Sequence, residues 1–127
     1  MRLLVDTHLI LWGVEDPAKL SKTARSLIDD AAADVRFSAA SIWEVAIKRA
    51  KGFADFQIDP AALRNGLLSN GWSELAVTGE HAAAVLSLPP LHKDPFDRLL
   101  VAQAQIERLT LLTSDKMVAK YLGVRKV

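Results

Sequence analysis

Five short runs of apolar, partly β-branched residues punctuate the chain at positions 2–5, 35–38, 74–77, 110–113 and 124–127, and each reads as a β-strand. Between them apolar positions recur at three- and four-residue spacing, which predicts helices over about 9–14, 17–32, 39–51, 60–69, 80–88, 95–108 and 115–121. Strands and helices alternate. This pattern calls for a parallel α/β sheet covered by helices on both faces, joined by right-handed crossovers. In such sheets ligands sit beyond the carboxyl ends of the strands, near a switch in strand order. Trp43 shares a helical stripe with Ile47 and Ala50, and Trp12 follows Leu9 at helical spacing, so both rings are expected in the core. Leu3, Leu9, Leu11, Trp12, Phe53 and Phe56 add further apolar side chains, which either complete that core or form an interface.

Composition narrows the class. The 127 residues suit one domain spanning 1–127, and no repeat or Gly/Ser linker divides them. With 50% hydrophobic and 24% charged residues the chain is not disordered. The absence of cysteine excludes disulfides, thiolate metal sites and a thiol nucleophile. Mean hydropathy is +0.15, and no apolar run approaches the ~18 residues of a membrane span. The opening Met-Arg-Leu-Leu-Val-Asp puts a carboxylate where a signal peptide needs its apolar stretch, so a soluble cytoplasmic protein is expected. A net charge of +1 and a pI near 8.1 say little about partners. The distribution says more: Lys116, Lys120, Arg125 and Lys126 follow Asp115 without an intervening acid, and Lys48, Arg49 and Lys51 form a second basic group. Either group suits phosphates, or simply solvates a helix end and a chain terminus.

The acids carry the candidate chemistry. Asp6 follows the first strand and Asp115 the fourth, each also placed to cap the segment after it. In Asp94-Pro95-Phe96-Asp97, Asp94 reads as an N-cap with Pro at the first helical position. Asp97 shares a stripe with Leu100, Val101 and Ala104, which turns its carboxylate partly inward. Glu44 lies in the second turn if Ser38 caps its helix, beyond a capping-box role, although a cap at Ser41 or a surface pair with Lys48 would also explain it. Three acids at the carboxyl edge of one sheet, with a fourth a helical turn away, need a counterion. Without cysteine or a histidine pair, the donor set is hard oxygen suited to Mg²⁺ or Mn²⁺, and to phosphodiester hydrolysis. Thr7, Thr113 and Ser114 place hydroxyls beside the acids, and His8 and His92 flank them, as supporting or substrate-contacting groups.

These residues resemble PIN-domain proteins of the VapC-like toxin family along nearly the whole chain. The matching pieces are Asp6-Thr7-His8 with Leu11-Trp12, the stretch from Ser38 through Ile42-Trp43-Glu44 to Lys48, His92-Lys93-Asp94-Pro95-Phe96-Asp97-Arg98, and Leu112-Thr113-Ser114-Asp115. The resemblance implies a three-layer α/β/α fold with a short-stranded, mostly parallel sheet and an endoribonuclease site binding Mg²⁺ or Mn²⁺. The family's acidic residues fall on Asp6, Glu44, Asp97 and Asp115, with Lys48 and Lys116 as basic neighbours. The implied partners are an RNA substrate, a second copy of the chain and a cognate antitoxin. Alternative readings are a receiver-like phospho-acceptor, an aspartyl-phosphate phosphatase or a non-catalytic domain of similar fold. An acidic pair at Asp6, or a second Asp two positions after it, would favour the first two, and neither is present.

Overall fold

The computed structural model describes all 127 residues. Strands β1 (Arg2–Val5), β2 (Asp34–Ser38), β3 (Ser73–Leu75), β4 (Thr110–Thr113) and β5 (Val124–Lys126) form one sheet in the order β3-β2-β1-β4-β5. Every neighbouring pair is parallel. That order differs from the 2-1-3-4-5 order of receiver-type folds. The helices are α1 (Thr7–Glu15), α2 (Lys22–Asp29), α3 (Ala39–Ala50), α4 (Pro60–Ser69), α5 (Gly79–Ala84) and α6 (Pro95–Glu107).

Strand alternation divides the apolar side chains between two cores. On one face Leu3, Val5, Val35, Phe37 and Leu112 meet Leu9, Val45, Leu63 and Leu67 of α1, α3 and α4. On the other, Leu4, Leu75 and Leu111 meet Leu100, Val101 and Ala104 of α6, with Ala84 of α5 at the margin. The register pairs Leu3 with Val35, Leu4 with Leu111 and Val5 with Leu112, so residues meant for one layer line up across the sheet. Helices on both faces give the three-layer α/β/α architecture. Leu3, Leu9, Leu11 and Phe56 are all buried, and of the apolar side chains in question only Phe53 stands well out, at 52% exposure.

Four expectations need correction. The helix expected over 17–32 divides into a 3-10 turn, Pro17–Lys19, and α2, because the Ser21 hydroxyl accepts from the Ala24 amide and starts a new helix. The helix expected over 80–88 ends as α5 and passes into a 3-10 turn, Val85–Ser87. The helix expected over 115–121 is only a 3-10 turn, Val118–Lys120, since Gly123 at a φ of 79° turns the chain into β5 within three residues. Trp43 is not a core residue: it is 62% exposed, Ile47 is exposed at 37%, and Ala50 is exposed as well. The buried face of α3 is Ala40, Ser41 and Val45, and position 43 lies about 200° around the helix from position 45.

Candidate active site

The chain runs from β1 through β2 to β3 on one side, then returns to place β4 and β5 on the other, so the order reverses between β1 and β4. Asp6 leaves β1 at that point. Its backbone is extended, its Oδ1 accepts from the His8 amide at 2.7 Å and caps α1, and its Oδ2 accepts from the Thr113 hydroxyl of β4 at 2.6 Å. One buried carboxylate thus caps α1 and also accepts a bond from β4. Thr113 in turn accepts from the Asp115 amide at 3.1 Å, so two strand ends are joined through one hydroxyl.

Ser38 brings the second wall. Its hydroxyl accepts from the Ala40 amide and caps α3, and donates to Gln103 Oε1 of α6 at 2.6 Å. The helices carrying Glu44 and Asp97 are thereby tied to the same strand end. Glu44 lies in the second turn of α3, clear of any capping role. Lys48 is not its partner, because the Lys48 ammonium sits 4.4 Å from the Phe56 ring centroid. One turn earlier, the Thr7 hydroxyl donates to Ser41 Oγ at 2.7 Å, packing α1 on α3. Glu44 Oε1 is buried and has no hydrogen-bond partner. Burial pushes the Glu44 carboxyl above its ordinary range; the Thr7 hydroxyl opposes this, and Asp94 and Asp97 reinforce it.

Asp97, 5% exposed, lies on the inward stripe of α6. Burial first, and then the Asp6 charge, push its pKa up to about 6, against the lowering effect of His92. His92 Nε2 is 2.8 Å from Asp97 Oδ2. Asp94 caps α6, with Oδ1 accepting from the amides of Phe96 at 2.8 Å and Asp97 at 3.3 Å. His92, Asp94 and Asp97 each offer one ligand atom within 4.8 Å of the others. His8 stands over Asp6 with Nδ1 3.6 Å from Oδ1. The Asp6 carboxylate holds its pKa up, at about 9, in spite of partial burial.

The remaining positions divide. Asp115 lies at the end of β4 but turns Oδ1 toward the amides of Met117 at 2.7 Å and Val118 at 3.4 Å. Ser114 is half-buried and its hydroxyl makes no hydrogen bond, while Lys116 is exposed and forms no ion pair. Spacing alone did not reveal the bond from His92 to Asp97, nor that Asp94 joins its neighbours as well as capping. A local signal existed for Asp94: the N-cap and third positions of a helix face the same first-turn space.

The donor chemistry fits a small divalent cation. Carboxylate oxygens dominate, one buried carboxylate oxygen lacks any donor, and Glu44 and Asp97 hold their protons more tightly because burial, and then neighbouring carboxylates, oppose their charge.

A three-layer fold with acids gathered at the reversal of a 3-2-1-4-5 sheet defines an α/β protein with a polar site at its carboxyl edge. The PIN domain family model matches residues 3–122, and the chain belongs to the PIN domain family. No curated protein sequence matches it. Among solved structures it is similar to VapBC2 from Rickettsia felis bound to a DNA fragment from their promoter, with a TM-score of 0.75 at 12% identity over 100% of this chain and 99% of that chain. A toxin-antitoxin complex from Klebsiella pneumoniae gives 0.65 at 19% identity over 97% and 95%. FitAcB from Neisseria gonorrhoeae gives 0.63 at 18% over 91% and 89%.

Proposed function

We propose that the protein is a metal-dependent endoribonuclease, a single domain over residues 1–127, and the toxin of a toxin-antitoxin pair. The observation that carries this reading is the uncompensated negative charge at the sheet's carboxyl edge, marked by the unpartnered Glu44 Oε1 and the raised pKa of Asp97. Membership of the PIN family and the likeness to toxin-antitoxin complexes support the same reading. Asp6, Glu44 and Asp97 would hold Mg²⁺ or Mn²⁺, and Asp115 would close the rim with the carboxylate oxygen its turn leaves free. The bound ion would supply positive charge to the scissile phosphate and to the leaving oxygen.

The protein's own groups do the rest. Glu44, whose carboxyl burial holds above its ordinary range, would take the proton of an attacking water. Thr113 fixes the Asp6 carboxylate and His92 meets that of Asp97, so these two acids are held before substrate arrives. His8, exposed beside Asp6, would meet a phosphate at the mouth. An RNA substrate implies work in the cytoplasm, and no helix is long and apolar enough to cross a membrane. A negative pocket suits an antitoxin that plugs it with arginine, whose fork pairs with carboxylates and competes with metal. The exposed edge of α3, with Trp43 and Ile47, suits a homodimer.

The test is controlled expression in a bacterial host with and without the product of the neighbouring gene, followed by mapping of new RNA 5′ ends. Growth arrest with new ends, relieved by the neighbour, is expected. Undiminished cleavage of purified RNA in excess chelator would sink the metal-dependent mechanism.

A further inference from the structure

Residues 88–94 deliver His92 and Asp94 to the site, yet they contain no helix or strand and include Pro89 and Pro90. Two side chains hold them. Arg98, on the first turns of α6, donates through Nη1 to the carbonyls of Pro89 at 3.1 Å and His92 at 3.4 Å, and to the Tyr121 hydroxyl at 3.0 Å. Its Nη2 donates to the carbonyls of Val85 at 3.1 Å and Leu88 at 3.4 Å. The Tyr121 hydroxyl also accepts from the amides of Leu91 at 3.2 Å and His92 at 3.0 Å. Tyr121 is 4% exposed and follows the 3-10 turn that begins just after Asp115.

His92 is therefore held on three sides. Its amide meets Tyr121, its carbonyl meets Arg98, and its Nε2 meets Asp97. We propose that Arg98 and Tyr121 are positioning residues of the acidic site, a clasp that sets His92 against Asp97 and makes His92 a fifth side chain of the site. The proposal rests on reading that site as a metal centre. An imidazole fixed on a carboxylate holds it in one orientation, and such outer contacts raise a ligand's affinity for its ion by roughly 10–100-fold. The same clasp couples the segment after β4, which carries Asp115, to the loop bearing His92 and Asp94. No regular element does this. A guanidinium with five donors can bind the bare carbonyls of an irregular segment where a lysine cannot.

The experiment titrates Mn²⁺ alone into the metal-free full chain at fixed pH, reading free Mn²⁺ by its electron paramagnetic resonance. The variants are Tyr121→Phe, Arg98→Lys, His92→Ala and the double variant Tyr121→Phe with His92→Ala. Tyr121→Phe and His92→Ala should each weaken Mn²⁺ binding about tenfold. The double variant should bind no worse than His92→Ala, because Tyr121 acts through His92, whereas a merely structural role would give additive losses. Arg98→Lys keeps the charge and loses the fork, so it should weaken binding as well, and it serves if Tyr121→Phe fails to fold. Additive losses, or unchanged affinity in folded Tyr121→Phe or Arg98→Lys, overturn the clasp while leaving the metal centre intact. A folded wild-type chain that binds no Mn²⁺ overturns the metal reading, and the clasp's effect on affinity with it.

Discussion

Asp97 concentrates the residue-scale argument, because its burial and its neighbours both oppose its charge. Its pKa rises from 3.8 in an unstructured chain to about 6 when folded. The metal-free native state therefore binds the proton more tightly than the unfolded chain, and between those two values stability falls as pH rises. Denaturant melts across that range should show this decline in the wild type and a shallower one in Asp97→Asn, where Glu44 alone still acts in the same direction. His8, raised to about 9, acts in the same direction at higher pH: its stabilisation is complete below 6.5 and is lost as pH climbs through 9. Asp97→Asn should also cut RNA cleavage by about 100-fold or more, with a melting temperature no lower than that of the wild type in chelator. Full cleavage by the variant would remove Asp97 from the mechanism. The positions of Asp6, Glu44 and Asp97 were legible in the sequence because each sits at a fixed offset from a strand end or helix cap. His92 was legible only as a flanking group; its bond to Asp97 depends on a loop held by Arg98 and Tyr121, and loops have no period to read.

At the scale of elements, α6 shows how one short segment serves stability and site together. Asp94 caps it through two backbone amides, while Asp97, three residues on, faces inward. Asp94→Ala should cost about 1 kcal/mol of stability by thermal or denaturant melting. A loss of Mn²⁺ affinity as large as that of Asp97→Asn, at unchanged melting temperature, would instead make Asp94 a ligand. The strands lay within a residue or two of their expected places because apolar runs and turn residues bound them closely. The helices failed where sequence periodicity spans a break: Ser21 restarts a helix inside one apparent run, and the segment after Asp115 is too short before Gly123 to exceed a 3-10 turn. The stripe of Trp43, Ile47 and Ala50 misled for another reason. Periodicity identifies an apolar face without saying what covers it, and α3 buries a different face against the sheet.

Across the whole molecule the charge is near balance, so binding of a polyanion, as the proposed function requires, would rest on local groups. The two basic clusters fare differently. Lys48 lies on the Phe56 ring and Arg49 donates to the Gln57 carbonyl at 2.8 Å, whereas Lys116, Lys120, Arg125 and Lys126 form no ion pairs, and Arg125 and Lys126 pair in register with Leu112 and Thr113 of β4. Replacing Lys116 and Lys120 with Gln should weaken RNA binding across all sequences and reduce the slope of log K against log salt by up to about 2. An unchanged slope returns these lysines to plain solvation. The apolar edge of α3 supplies the companion prediction. If it joins two copies, Trp43→Glu should convert a dimer to a monomer in light scattering over a concentration series. A wild-type chain that is monomeric throughout that series contradicts the dimer.

Because every strand runs the same way, the two ends of the described chain leave from opposite rims of the sheet. The Met1 carbonyl accepts from the Asp34 amide at 2.8 Å, at the amino rim, while the Val127 amide donates to the Thr113 carbonyl at 2.8 Å, at the rim that holds the acids. Anything fused after Val127 emerges beside the residue that grips Asp6, and anything fused before Met1 emerges the full depth of the sheet away. An affinity handle on the carboxyl end, particularly one rich in histidine, would compete for an ion bound by those acids. Placed at the amino end, the same handle is a bystander.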